Sequence, residues 1–205
     1  ILLQVTVGCS HNKCTFCGAY KGERFRIKPD AVILEDIAFA AAHCRHQRRV
    51  FLCDGDALIV PQQRLVRILQ EIRRQLPWVT RVGVYANAKS IGLKTPQALA
   101  ELRELGLGIA YMGLETGDDA TLKQIRKGVT AATMIQMGRK IRAAGIKLSI
   151  TVLLGIAGRE RSMEHARETG RVLSAIDPEY VGALSLMLIP GTPLQIGRAS
   201  CRERV

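Results

Sequence analysis

No stretch of this 205-residue chain approaches the roughly 18 to 20 consecutive apolar residues that a membrane-spanning helix needs. A secretory leader is missing from its first residues too. Residues 1–7 are short, carry no basic flank and run straight into a cysteine-bearing loop, so a cytoplasmic location is the expectation. Aromatic residues make up 4% of the chain, which leaves few surfaces for stacking bases and argues against a dedicated RNA-binding fold. No second cysteine or histidine pair follows at zinc-finger spacing, and no low-complexity linker divides the chain, so one domain is expected.

Acidic residues are scarce. Thirty Lys and Arg face eighteen Asp and Glu, for a net charge of +12. Residues 196–205, IGRASCRERV, carry +2 of this and show no apolar periodicity. They resemble the translation of common sequencing-adapter DNA and are expected to be a non-native tail in which Cys201 has no meaning. The start without Met and the stop soon after residue 194 lead us to expect a truncated copy of a longer protein, with its core in residues 1–194. The remaining +10 suits an anionic partner such as RNA or a phosphorylated or carboxylated substrate. Arginines such as Arg64, Arg67, Arg73 and Arg74 are spread over helix faces, however.

What is present is alternation. Apolar, β-branched runs at residues 2–7, 50–53, 82–86, 109–114, 147–154 and 180–189 predict strands. Between them, helical spacing recurs: Ile33, Ile37 and Ala41, then Leu65, Ile68, Leu69, Ile72 and Leu76 behind Pro61, then Leu99, Leu102 and Leu105 behind Thr95-Pro96. Further helices are expected over about 119–126, from the cap Thr130 to Gly145, and over 163–176. Six such repeats, the last without its helix, argue for an α/β fold with parallel strands and helices outside. Periodicity alone allows either a doubly wound sheet or an open partial barrel. The run Ile150-Thr151-Val152-Leu153-Leu154 predicts a strand buried on both faces. In either architecture the residues that follow each strand are expected to meet at one pocket: the cysteines, Asp54-Gly55-Asp56, Asn87, Glu115 and Gly155 to Gly158.

Cys9, Cys14 and Cys17 are spaced C-x4-C-x2-C within one loop, which points to metal binding rather than disulfides. Three thiolates suit an iron–sulfur cubane with one iron left open. A zinc site would need His11 as its fourth ligand, and His11 sits only two residues from Cys9. Cys44 and Cys53 are expected to be packing residues. Nothing calls for a Ser-His-Asp triad among His11, His43, His46 and His165.

The stretch Gly8-Cys9-Ser10-His11-Asn12-Lys13-Cys14-Thr15-Phe16-Cys17 resembles the signature loop of the radical S-adenosylmethionine (SAM) superfamily, with one residue more than the usual C-x3-C-x2-C. Later segments resemble further motifs of that superfamily in chain order: Asp54-Gly55-Asp56, Gly113-Leu114-Glu115-Thr116-Gly117-Asp118-Asp119, Leu154-Gly155-Ile156-Ala157-Gly158 and Pro190-Gly191-Thr192-Pro193-Leu194. The nearest likeness is to the oxygen-independent coproporphyrinogen oxidase, methylthiotransferase and elongator-subunit group. The resemblance implies an open partial (β/α)6 TIM-type barrel in which Cys9, Cys14 and Cys17 ligate a [4Fe–4S] cluster and SAM binds the open iron. It further implies that Phe16 lies against the adenine, Gly55 and Asp56 meet the methionine amino group, Glu115 accepts from the ribose, and Gly155 flanks the adenine. Asn87 joins this cofactor set from its place after the third strand. Arg126 is favoured over Lys127 for the methionine carboxylate because of its bidentate geometry. Reductive cleavage of SAM to a 5′-deoxyadenosyl radical would follow, with the electron supplied by a donor such as flavodoxin or ferredoxin. The substrate expected is a small molecule or cofactor precursor. A tRNA-modifying enzyme is the second reading, and a zinc- or cluster-stabilised binding module the third.

Overall fold

Alternation of apolar side chains decides which face of each strand enters the core. The computed structural model describes residues 1–202. In chain order its elements are β1 (Leu2–Gln4), β2 (Thr6–Val7), β3 (Arg26–Ile27), α1 (Asp30–His43), β4 (Arg49–Cys53), α2 (Gln62–Gln75), β5 (Arg81–Ala86) and α3 (Ala88–Gly92). There follow α4 (Pro96–Glu104), β6 (Leu107–Glu115), α5 (Asp119–Gln124), α6 (Ala131–Ala143), β7 (Lys147–Leu154), α7 (Ser162–Ile176), β8 (Tyr180–Ser185) and α8 (Pro193–Arg202). A 3₁₀ turn at Ala57–Ile59 links β4 to α2.

Six strands form one parallel sheet in the order β1-β4-β5-β6-β7-β8. Each crossover moves to the next position in the same direction. Right-handed connections therefore put the helices on one side, whereas a doubly wound sheet would reverse direction at a switch point. Burial agrees. Along β4, Val50 and Leu52 are buried and Phe51 is not. Along β7, Leu148, Ile150 and Val152 are buried, while Ser149, Thr151 and Leu153 are half-buried. The expectation that β7 is buried on both faces is corrected here: one face packs on helices and the other lines a concavity. Phe51, Tyr85 and Tyr111 stand on that inner face in edge-to-face contact, with ring centroids 4.7 to 6.2 Å apart.

The helix stripes match the predicted ones. Ile33, Ile37, Leu65, Leu69, Leu99, Leu102 and Ile141 are all nearly or fully buried in one core, each contributing about 2 to 3 kcal/mol of burial. The caps also match, since Thr95 accepts from Ala98 N and Thr130 from Thr133 N. Three local features were not predicted. The first expected strand splits, because Thr6 and Val7 turn away to pair antiparallel with Ile27 and Arg26. Asn87 caps the short α3 through a reciprocal box with Ser90. The last strand ends at Ser185, and a helix opens at Pro193, a residue suited to a first turn, and runs on through residues 196–202 of the expected tail. Residues 203–205 of that tail lie outside the described residues.

β8 ends the sheet, with Tyr180, Val181 and Leu184 each about half exposed. An apolar edge strand of this kind templates pairing with other chains. Replacing Val181 and Leu184 together with Lys is expected to reduce self-association in sedimentation velocity while leaving the melting temperature within about 2 °C of the parent.

Candidate active site in the cysteine loop

The loop from Gly8 to Phe25 has no regular structure, so side chains must hold it. Two carboxylates on the turn after β4 do most of this. Asp54, at φ +83°, accepts from Gly8 N at 3.1 Å and from Gln4 Nε2 at 3.0 Å, and the Tyr20 hydroxyl reaches its other oxygen at 3.4 Å. Burial, together with the neighbouring Asp54 carboxylate, pushes the Tyr20 pKa up to about 12. Asp56 is fully buried; its Oδ2 accepts from Ser10 Oγ at 2.5 Å and from Asn87 Nδ2 at 2.8 Å. Its Oδ1 has no protein partner. Burial raises the Asp56 pKa against the pull of those hydrogen bonds. Between the two, Gly55 is pressed on the loop: a Cβ there would lie 2.7 Å from Cys9 Cβ.

Between Cys9 and Cys14 the backbone is left-handed at Asn12, φ +42°, a conformation that Asn tolerates. Asn12 Nδ2 donates to Tyr20 O at 2.8 Å, and Lys21 Nζ donates to Asn12 O at 2.8 Å. His11 Nε2 donates to the Arg126 carbonyl at 2.8 Å, and Thr15 N donates to Ile125 O at 2.9 Å, so the loop is also tied to the end of α5.

Cys9, Cys14 and Cys17 are all free and half-buried. Burial raises the Cys14 pKa, opposed by Lys127, and the other two thiols are close enough to act on it. Among the described residues no three His, Cys, Asp or Glu side chains converge as ligands of a single ion would. Thiolates each holding a different iron of a cluster need not converge on one point.

Cys9 and Cys14 line a cleft with Gly55, Asn87, Gly113 and Lys127. Lys127 Nζ lies 2.7 Å from Glu115 Oε1, with side chains only 15% and 10% exposed. Burial works against the charge on Lys127, but Glu115 and Cys14 outweigh it and hold the pKa up. Arg126, favoured from sequence, is exposed at φ +53° and does not line this cleft; Lys127 does. Both residues follow the end of α5, where helical periodicity no longer says which side chain turns inward. Phe16 is half-buried elsewhere in the loop, and Gly155, φ +84°, is exposed beyond β7; neither borders the cleft.

Glu115 is itself strained. At φ +64° it sits at the centre of a three-residue turn in which Thr116 N donates to Leu114 O at 2.8 Å, a conformation costing about 1 to 3 kcal/mol. A buried network holds the residues just after it. Thr116 Oγ1 is 2.8 Å from His165 Nδ1, Gly117 N donates to Thr169 Oγ1 at 2.9 Å, and Arg161 grips both oxygens of Asp118 at 2.9 and 2.8 Å. Arg161 and Thr121 hold the Asp118 carboxyl well below the usual carboxylate range, and burial pushes the His165 pKa down.

Comparison with known proteins settles the family. The family model of the radical SAM superfamily matches residues 3–171. The chain belongs to that superfamily. Its members are enzymes that use a [4Fe–4S] cluster and SAM. Sequence comparison with curated proteins finds no match. Among solved structures, methylornithine synthase (PylB) is 17% identical with a TM-score of 0.71, covering 95% of this chain and 55% of its own. The radical SAM methyltransferase TsrM from Kitasatospora setae, solved with cobalamin and a [4Fe–4S] cluster, is 21% identical at 0.76, with coverages of 98% and 39%. Coproporphyrinogen III oxidase (HemN) from Escherichia coli is 11% identical at 0.68, with coverages of 98% and 51%. This radical SAM chain thus spans about half or less of those proteins' lengths. The likeness is one of fold, and the one-way open sheet is a partial TIM-type barrel of the superfamily's kind.

The Asp118–Arg161 pair provides a stability test. Because the folded pKa of Asp118 is depressed, its contribution is complete at neutral pH. It is lost as pH falls from about 4 through the folded value. Asp118→Asn is expected to lose about 2 kcal/mol in urea unfolding at pH 7, with a smaller loss at pH 3.

Proposed function

We propose that the chain is the catalytic core of a radical SAM enzyme in which Cys9, Cys14 and Cys17 hold the [4Fe–4S] cluster and the adjoining cleft takes SAM. The observation that carries this reading is the meeting of Cys9 and Cys14 with the buried Lys127–Glu115 pair at the ends of β4, β5 and β6. The donor set fits. Thiolates are the usual protein ligands of such a cluster, and the Asp56 carboxylate leaves one buried oxygen without a protein partner. One-electron cleavage of SAM to methionine and a 5′-deoxyadenosyl radical is the chemistry this pair of cofactors supplies when bound.

Each residue then has a role set by its surroundings. Lys127, kept charged by Glu115 and Cys14, is placed to pair with a carboxylate and takes the part that the sequence suggested for Arg126. Glu115, with one oxygen on Lys127, has its other available to accept from hydroxyl groups. Asp56 braces Ser10 and Asn87 so that the cysteine loop and the start of α3 keep their spacing. The substrate we favour is a small molecule or cofactor precursor, approached over the concave face lined by Phe51, Tyr85 and Tyr111.

Anaerobic reconstitution with iron and sulfide should load roughly four irons per chain, and dithionite with SAM should then yield 5′-deoxyadenosine. Cys14→Ala should lose both while keeping its circular dichroism spectrum. A purified chain with one zinc, refusing iron, would overturn the reading. Glu115→Gln should keep its iron and raise the KM for SAM roughly tenfold, the loss expected when one charged hydrogen-bond acceptor is neutralised.

A further inference from the structure

Beside the cleft that holds Cys9 and Cys14 is a second one of about 890 Å³, which shares with it the wall formed by His11, Gly128 and Val129. Its charges are one-sided. Lys13, Lys21, Lys123 and Arg126 line it against the single carboxylate Asp119, one oxygen of which already accepts from Ala131 N at 2.6 Å. All four cations are exposed. Lys21 spends its ammonium on Asn12 O, whereas among the described residues the side chains of Lys13, Lys123 and Arg126 enter no hydrogen bond or salt bridge. Like charges gathered in a concavity repel one another and focus a positive potential on whatever approaches. The chain thus keeps an unneutralised field at one place on its surface, on the cysteine loop itself: Lys13 adjoins Cys14, and Lys21 lies four residues beyond Cys17.

We propose that this basic cleft is the docking surface for an acidic electron-carrier protein of the flavodoxin or ferredoxin class. The inference rests on the cluster reading above, since that reading requires electrons to be delivered close to the three thiols. Docking here seats the carrier's negative rim over Lys13, Lys123 and Arg126, while the accessible Val129 and Pro193 supply the apolar contact of a small transient interface. One electron then passes from the carrier's reduced flavin or iron–sulfur centre, which is oxidised, to the cluster, which is reduced; no bond forms or breaks. A nucleic acid fits less well, because no Phe, Tyr or Trp lines the cleft to stack a base.

The test uses Lys123→Glu and the double variant Lys13→Glu/Lys123→Glu, both at exposed side chains without partners. Binding of oxidised flavodoxin, followed by its flavin fluorescence, should tighten as salt falls. It should weaken about tenfold in the double variant, with a flatter salt dependence. In reconstituted protein, cluster reduction by reduced flavodoxin should slow to a similar degree, while reduction by dithionite keeps its parent rate. Unchanged flavodoxin binding and reduction in the double variant would overturn the proposal. So would salt-dependent binding of bulk tRNA that the double variant loses while flavodoxin fails to bind the parent. The two readings fail separately. A chain that takes up no iron but binds flavodoxin through these lysines loses the cluster and keeps the docking face. One that cleaves SAM with dithionite and ignores flavodoxin keeps the cluster and loses the face.

Discussion

The two carboxylates on the turn after β4 are the constraint on which the site depends. A loop carrying three thiols gains little from burial and has no ladder of its own. Its conformational entropy must be met by a few fixed partners. Asp54 takes the loop's first backbone amide and Asp56 takes Ser10, so both ends of one tripeptide hold the segment that contains Cys9. Gly55 between them has no side chain because Cys9 occupies that space. The partner of Asp56 on the other side is Asn87, which also caps α3. The cysteine loop is thereby registered against β4 and β5 without being part of either.

A second anchor comes from β6. The sheet register slips between Gly113 and Glu115, and the chain leaves the strand through a turn that an L-residue adopts only under strain. Such a turn persists when its surroundings over-determine it, and here α7 supplies them through Arg161, His165 and Thr169. The helix packs closely enough that a Cβ on Gly117 would collide with the Glu168 carbonyl. Rigidity behind the turn lets Glu115 and Lys127 remain a buried, charged pair in front of it.

Legibility from sequence divided along the same line. Regular elements follow from local periodicity, so the stripes through Ile33, Leu65, Leu102 and Ile141 and the caps Thr95 and Thr130 could be read directly. The cysteine spacing pointed to a metal-binding loop, and of the strand-end residues expected at one pocket Gly55 and Asn87 line the cleft with Cys9 and Cys14 whereas Gly155 does not. Contacts between segments distant in the chain could not be read. Asp54 as a clamp on Gly8, the split of the first strand and the placing of Lys127 rather than Arg126 in the cleft each depend on backbone φ values or partners more than ten residues away. The one signal available for Lys127 was its neighbour Gly128, since Arg-Lys-Gly at the end of a short helix suggests a chain reversal. The mistaken two-faced burial of β7 has a simpler cause. Leu153 and Leu154 are apolar in composition but face a concavity and an open end rather than a helix layer.

That one-sidedness explains why a sheet so well buried behind is so exposed in front. A parallel sheet wound in a single direction covers only its outer face with helices, and its inner face is covered only if the sheet curls until its edges meet. Here β1 and β8 have no mutual pairing, so the curl stops part-way and the concavity stays open. For a core that must admit a cofactor and a substrate side by side, an unclosed barrel has a physical advantage: a closed eight-stranded one is filled by its own side chains. The cost falls on β8, whose half-exposed Tyr180, Val181 and Leu184 lack the covering that every other long strand receives.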